Sequence, residues 1–199
     1  MKKSEEGIPK VTRKELNLIL DRIKEKGINK GIVLMGIPGV GKTTIVKNLI
    51  DIQNNKIMQL EQRGDESDYR FRERQVMAER NLLKLISTNS ICSQFMLGGF
   101  EKVQHTSIYA LDDLGTEIIP SHFGTSIDLV PHLIQLGYEQ NVNFGYYTTN
   151  LNYNELAERY GARVIDRLQE KCYFFILEDT PFRKLATAEK INQELNEKT

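Results

Sequence analysis

Residues Gly36 to Thr43 read G-I-P-G-V-G-K-T and follow directly on the apolar run Gly31-Ile32-Val33-Leu34-Met35. The spacing is that of a G-x-x-x-x-G-K-[ST] phosphate-binding loop, a motif that works only with a buried strand in front of it and a helix behind. Gly36, Gly39 and Gly41 permit the tight turn and bring backbone N–H groups onto phosphate oxygens. The candidate nucleotide-binding surface is thus Gly36, Pro38, Gly39, Val40, Gly41, Lys42, Thr43 and Thr44. Lys42 supplies a point charge for the outer phosphates of a nucleoside triphosphate such as ATP. Thr43 offers a hydroxyl to the Mg²⁺ that travels with them. The stretch Thr44 to Ile52 reads as a helix whose positive end faces the same place.

Length and charge narrow the setting. The chain has 199 residues, enough for one domain with its own core and a small appendage. Lys plus Arg is 27 and Asp plus Glu is 27, so the net charge makes no global case for nucleic acid and none against a local basic patch. Hydrophobic residues are 40%, as in a soluble globular protein, and no apolar run is long enough to cross a bilayer. The charged start Met1-Lys2-Lys3-Ser4-Glu5-Glu6 leads to no signal-peptide core. Cys92 and Cys172, far apart in sequence, read as two reduced thiols of a cytoplasmic protein rather than a disulfide.

Along the chain, Thr12 caps a helix to about Lys26, with Leu16, Ile19, Leu20 and Ile23 on one face. Asn54-Asn55 closes the helix after the phosphate loop, Lys56 to Leu60 reads as a short strand, and Glu61 to Asp68 as a loop. Phe71 to Ile86 has helical periodicity. Its arginines Arg70, Arg72 and Arg74 suit either a solvated face or a surface for DNA or another subunit. Gly98-Gly99 marks a turn. Gly124 to Gly137 reads as a helix with Pro131 as a kink or break. Asn143 to Thr149 suits a strand, Asn152 to Tyr160 and Ala162 to Leu168 suit helices, and Cys172 to Leu177 is β-rich. Strands alternating with helices after such a loop predict an α/β fold of the P-loop NTPase kind: a mainly parallel sheet flanked by helices, with the ligand beyond the carboxyl ends of the strands.

Hydrolysis needs more than a phosphate loop. The run Ile108-Tyr109-Ala110-Leu111-Asp112-Asp113 has the form of a Walker B strand, apolar and then acidic. Asp112 is the candidate Mg²⁺ ligand, through a water, and Asp113 the candidate general base for an attacking water. Tyr146-Tyr147-Thr148-Thr149-Asn150 is a second strand ending in polar groups, expected beside the first. Asn150 is then free to hold the water or sense the terminal phosphate, since Asn152 and Asn154 can start the next helix.

The blocks G-I-P-G-V-G-K-T, Leu111-Asp112-Asp113-Leu114-Gly115-Thr116-Glu117 and Thr148-Thr149-Asn150-Leu151 occur in an order that resembles the AAA+ helicase loaders of the DnaC/DnaI type and their relative IstB. Tyr160-Gly161-Ala162-Arg163-Val164-Ile165-Asp166-Arg167-Leu168 looks like the family's G-x-R-[IV]-x-D-R-[LM] segment, and Asp179-Thr180-Pro181-Phe182-Arg183 resembles its closing S-[FY]-R element. The likeness runs from about residue 28 to 185. It implies an AAA+ ATPase domain over 28–185 with a minimal or absent lid, a short helical extension over 1–27 and a helical tail over 186–199. It also implies Asn150 as sensor 1 and Arg183 as sensor 2. Arg167, or Arg163 in second place, becomes the finger that enters a neighbouring subunit's site. The i, i+4 spacing of Arg163 and Arg167 suits a helix surface or a subunit seam equally. The implied partners are ATP, further copies of the chain, single-stranded DNA, and a replicative helicase or transposase, with slow turnover stimulated by oligomer or DNA. The implied task is DNA replication in a phage or mobile-element setting, without the N-terminal domain with which typical loaders grip the helicase. Two other functions stay open. One is a transposition helper of the IstB kind, the other a P-loop kinase for a nucleotide or small molecule, which leaves Asp112-Asp113 and the Arg163/Arg167 segment unexplained.

Overall fold

The computed structural model describes residues 7–25, 30–80, 82–104, 110–140 and 145–181. Within them strands and helices alternate: β1 (Lys10–Val11), α1 (Arg13–Glu25), β2 (Gly31–Met35), α2 (Lys42–Met58), α3 (Asp68–Arg80), β3 (Ile86–Ser87), α4 (Thr88–Gln104), β4 (Ala110–Leu114), β5 (Ser121–His122), β6 (Thr125–Ser126), α5 (Leu129–Glu139), β7 (Tyr146–Thr149), α6 (Tyr153–Tyr160), α7 (Ala162–Lys171) and β8 (Cys172–Leu177). Six strands form one sheet in the order β1-β8-β2-β7-β4-β3, and every pairing in it is parallel. The chain is therefore α/β, with a parallel sheet flanked by helices.

β2 explains how two apolar layers are made. All five of its residues are buried. Successive side chains of a strand point to opposite faces. Ile32 and Leu34 join Leu16 and Leu20 of α1 and Val46, Leu49 and Ile50 of α2 in one core. Val33 and Met35 join Ile91, Leu133, Leu156 and Leu168, from α4, α5, α6 and α7, in the other. A central strand covered on both sides leaves only its ends free for chemistry.

Local signals set several helix ends. Glu15 N–H donates to Thr12 Oγ1 at 3.3 Å and Thr12 N–H to Glu15 Oε2 at 2.8 Å, a reciprocal cap. Asn152 and Glu155 form the same device at the start of α6, as expected for Asn152.

Other expectations need correction. The helix after the glycine loop does not close at Asn54-Asn55 but runs to Met58, which removes the strand expected at Lys56 to Leu60. Asn54 does not stop this helix, because its amide is spent outward: Nδ2 donates to Leu83 O at 2.9 Å and Oδ1 accepts Leu83 N–H at 2.8 Å. The helix expected over Phe71 to Ile86 starts at Asp68 and ends at Arg80. Ile86 and Ser87 are instead drawn into the sheet edge beside Leu111 and Asp112. Gly124 is not helical. It forms the tip of the β5–β6 hairpin with Phe123, both at positive φ (48° for Phe123, 80° for Gly124). α5 begins only after Asp128, so Pro131 lies in its first turn, where backbone N–H groups have no helical partner to lose, and it neither kinks nor breaks the helix.

α4 does break at the Gly98-Gly99 turn, where Gly99 has φ 60°. A Cβ on Gly99 would stand 3.0 Å from the His122 ring, so the glycine admits the hairpin. Cys92 and Cys172 are both free and buried. No helix among the described residues is long and apolar enough to cross a membrane.

Candidate functional site

Three neighbouring strands end at one place. β7 lies between β2 and β4, so the strand carrying Asn150 is beside the Asp112 strand, as its sequence predicted. The turn 36–41 links β2 to α2. Gly36 has φ 140°, and a Cβ there would lie 2.7 Å from the Leu177 carbonyl oxygen, so this residue must lack a side chain for the turn to rest on the end of β8. Val40 is fully buried and anchors the turn, while Ile37, Pro38 and Thr44 are exposed. Gly41 stands at the N-cap of α2 with no side chain capping it, which leaves backbone N–H groups of the first turn without helical partners.

Lys42 is buried at 6% exposure. Its Nζ donates to Gly36 O at 2.7 Å, Ile37 O at 3.0 Å and Asn150 Oδ1 at 2.8 Å. Burial lowers its pKa, and the nearby Asp113 and Asp112 carboxylates work against that shift. Asn150 turns its other amide atom to the acids: Nδ2 donates to Asp113 Oδ1 at 3.3 Å. Thr43 Oγ1 donates to Asp112 Oδ1 at 3.0 Å. Lys42, Thr43, Asp112, Asp113 and Asn150 thus make one contact network, built from residues up to 108 positions apart in sequence.

Opposing influences act on the Asp113 carboxyl. Burial raises its pKa first and the Asp112 charge second, while Lys42 and the Asn150 hydrogen bond pull the other way. Its backbone is in the left-handed region, φ 61°, which is uncommon for a residue with a side chain. The carbonyl of this strained residue is well held: Thr88 Oγ1 donates to it at 2.9 Å, Thr116 Oγ1 at 2.8 Å and Thr116 N–H at 3.2 Å.

A second network ties down the segment that follows. The Glu117 side chain is 1% exposed. It accepts Gly115 N–H at 2.9 Å on Oε2, and the Tyr160 hydroxyl at 2.9 Å and Arg159 Nη2 at 3.0 Å on Oε1. Arg159 also grips Asp128 with two bonds, 2.7 and 3.0 Å, in the fork geometry that suits a carboxylate. Glu117 and Asp128 flank the β5–β6 hairpin, so one guanidinium straps both of its feet to α6. Thr88, Thr116, Glu117, Arg159 and Tyr160 are assigned nothing by sequence reasoning. Glu117 and Tyr160 lie inside recognisable blocks, but only the contacts reveal what they hold.

Two of the three candidate arginines, Arg163 and Arg167, lie on α7. Arg167 is packed at the α5–α7 seam, its side chain 12% exposed and 3.4 Å from the Glu139 carboxylate. Its guanidinium lies 4.8 Å over the Tyr138 ring, and its Nη1 is buried without a hydrogen-bond partner. Arg163, one turn earlier on α7, is exposed. Arg183 and the tail over 186–199 lie outside the described residues. Arg70 and Arg72 are exposed on α3, whereas Arg74 pairs with Glu66 at 2.6 Å.

Among the described residues no group of three or more His, Cys, Asp or Glu is arranged to hold a metal unaided. The Thr43 hydroxyl and Asp112 carboxylate are hard oxygen donors at one point. That fits an Mg²⁺ whose remaining ligands are phosphate oxygens and waters. No protein-family model matches the chain, and no curated protein matches it significantly.

Proposed function

We propose that this chain is a P-loop ATPase of the AAA+ type, which binds ATP with Mg²⁺, hydrolyses it and acts in DNA replication in the manner of the DnaC/DnaI helicase loaders, in a phage or mobile-element setting. The observation that carries the reading is the meeting of Lys42, Thr43, Asp112, Asp113 and Asn150 at the ends of three adjacent parallel strands. A chance G-x-x-x-x-G-K-T sequence would have no reason to face two acids and an amide.

Each group has a task. Lys42 exchanges the Gly36 and Ile37 carbonyls for outer phosphate oxygens, which suits a buried cation with weak neutral partners. Thr43, and Asp112 through a water, would hold Mg²⁺, which when bound would neutralise charge on the phosphates. Asn150 orients the attacking water between Lys42 and Asp113. The water oxygen attacks the terminal phosphorus, the bond to ADP breaks, and the water's proton passes to the Asp113 carboxylate. Arg163 or Arg167 acts in a neighbouring copy's site, and Arg183 on the nucleotide of its own chain. Single-stranded DNA meets the exposed Arg70 and Arg72. The protein partner is a replicative helicase or a transposase.

Two measurements test this. Purified protein with ATP and Mg²⁺ is expected to release inorganic phosphate. Transfer of phosphate to an added nucleotide instead would replace the ATPase with a kinase. An ATP-dependent pull-down with and without single-stranded DNA, read by mass, is expected to recover a replicative helicase. Recovery of a transposase would move the protein to the IstB kind of helper.

A further inference from the structure

The pairing of β4 with β7 contains an irregularity at its functional end. Leu111 pairs with Tyr147 and Leu114 with Thr149. Two residues of β4, Asp112 and Asp113, therefore stand opposite one residue of β7, Thr148. This is a β-bulge, and bulges re-aim side chains. In a regular strand adjacent side chains point to opposite faces. Here the Asp112 carboxylate reaches Thr43 while the next residue's carboxylate reaches Asn150, so both acids serve one site.

A bulge leaves backbone groups without ladder partners, and the one made here is answered by a side chain. Thr148 is fully buried. Its hydroxyl oxygen accepts Asp113 N–H at 2.9 Å, replacing the missing backbone acceptor. The same hydroxyl donates its only proton to Asp112 Oδ1 at 2.6 Å. One oxygen thus fixes the backbone of one acid and the carboxylate of the other, and a hydroxyl alone can do both.

We propose that Thr148 is a positioning residue for the hydrolytic centre: its hydroxyl holds the bulge that turns Asp113 toward the attacking water and keeps Asp112 oriented for the metal. The inference rests on the ATPase reading. Valine matches threonine in shape and lacks the hydroxyl, whereas serine keeps it. Thr148→Val is expected to lower kcat for ATP hydrolysis about 30- to 100-fold, as for a displaced general base, with KM changed less than about 3-fold. Thr148→Ser is expected to stay within about 3-fold of wild type in both constants. Binding of ADP by titration calorimetry, which needs no turnover, is expected to be alike in all three proteins.

The outcomes separate. If the wild type releases no phosphate from ATP, the ATPase reading falls and the role of Thr148 falls with it. If the wild type turns over and Asp113→Ala does not, but Thr148→Val matches the wild type, the positioning role alone is overturned. An equal loss in Thr148→Ser and Thr148→Val also overturns it, because the hydroxyl would then not be the acting group. Thr148→Ala replaces Thr148→Val if the latter does not fold. If neither folds while Thr148→Ser does, Thr148 is a structural residue and the proposal is wrong.

Discussion

Lys42 and Asp113 are each held in a condition that costs free energy. Lys42 is an ammonium group buried against carbonyls, and Asp113 is a carboxylate with a left-handed backbone beside another acid. Strain and desolvation of this kind cluster at working sites. Lys42→Ala is expected to abolish ATP binding measurable by titration calorimetry, a weakening of at least about 100-fold for a lost charged contact. Asp113→Ala is expected to retain ATP binding and lose at least about 100-fold in kcat. Normal hydrolysis by Asp113→Ala would remove it as the base.

The raised pKa of Asp113 gives a pH dependence of definite sign. A general base acts when deprotonated. A carboxylate whose pKa is raised gives up that form at a higher pH than an ordinary aspartate does as acid is added. The acid limb of the kcat profile is therefore expected above about 3.9, the usual aspartate value. It should fall toward that value if Asp112, whose charge contributes to the shift, is replaced by asparagine in a variant that still turns over. An acid limb that does not move on Asp112→Asn would separate the two acids.

The site residues that sequence exposes are those whose chemistry depends on local spacing. Gly36 to Thr43 declare themselves within eight letters, and Asp112-Asp113 and Asn150 follow from apolar runs that end in polar groups. Thr148 and Glu117 do not. The value of Thr148 depends on a register slip between strands joined by more than thirty residues, and that of Glu117 on a tyrosine and an arginine one helix away.

At the level of elements, the β5–β6 hairpin is the least expected part of the fold. Its strands have two residues each, too short for any periodicity, so the sequence from Gly124 onward reads as the front of a longer helix. The hairpin holds Phe123 at φ 48° with the residue 96% exposed, a conformation and an exposure that are both unfavourable for phenylalanine. Arg159 keeps the loop in place from both sides. Arg159→Ala strands the Glu117 carboxylate with little water around it, and breaking such a pair from one side costs about 3–5 kcal/mol. The expected result in urea unfolding is a loss of stability toward that size. Arg159→Ala with Glu117→Gln should be less destabilised than the two single changes sum to. Additive effects would deny the coupling.

Elements with strong local signals were legible, and those decided by distant contacts were not. Asn152 and Glu155 mark the start of α6 in four residues, and both capping bonds form. Asn54 looks like a stop signal and is instead a bracket for Leu83. Ile86 belongs to the periodic pattern of α3 yet is taken by the sheet. Tertiary pairing overrides local preference in both cases.

At the scale of the whole molecule, a parallel sheet buried on both faces brings the candidate groups to one edge and leaves α7 at another surface. Arg163 is exposed there and Arg167 is clamped to Tyr138 and Glu139. If a neighbouring copy completes the site, Arg163→Ala is expected to lower turnover at least about 10-fold without weakening ATP binding. Mixtures of Arg163→Ala with Asp113→Ala would then recover activity, each chain supplying what the other lacks. Failure of the mixture to recover, with the wild type equally active at high dilution, would make the site self-sufficient.

The outer margin of the sheet has a consequence of a different kind. β8 reads Cys172-Tyr173-Phe174-Phe175-Ile176-Leu177, a six-residue apolar, aromatic strand with no proline, glycine or charge. Segments of that composition template cross-β stacking when their edge is free. Here Lys10 and Val11 cover that edge together with Pro9, whose carbonyl accepts Ile176 N–H at 3.0 Å, helped by ion pairs from Lys10 to Glu178 and from Arg13 to Asp179. Residues 9–11 thus occupy the edge at which β8 could pair with another strand. A chain shortened to begin at residue 14 is expected to form thioflavin-positive aggregates on mild warming, at a temperature where the full chain stays clear.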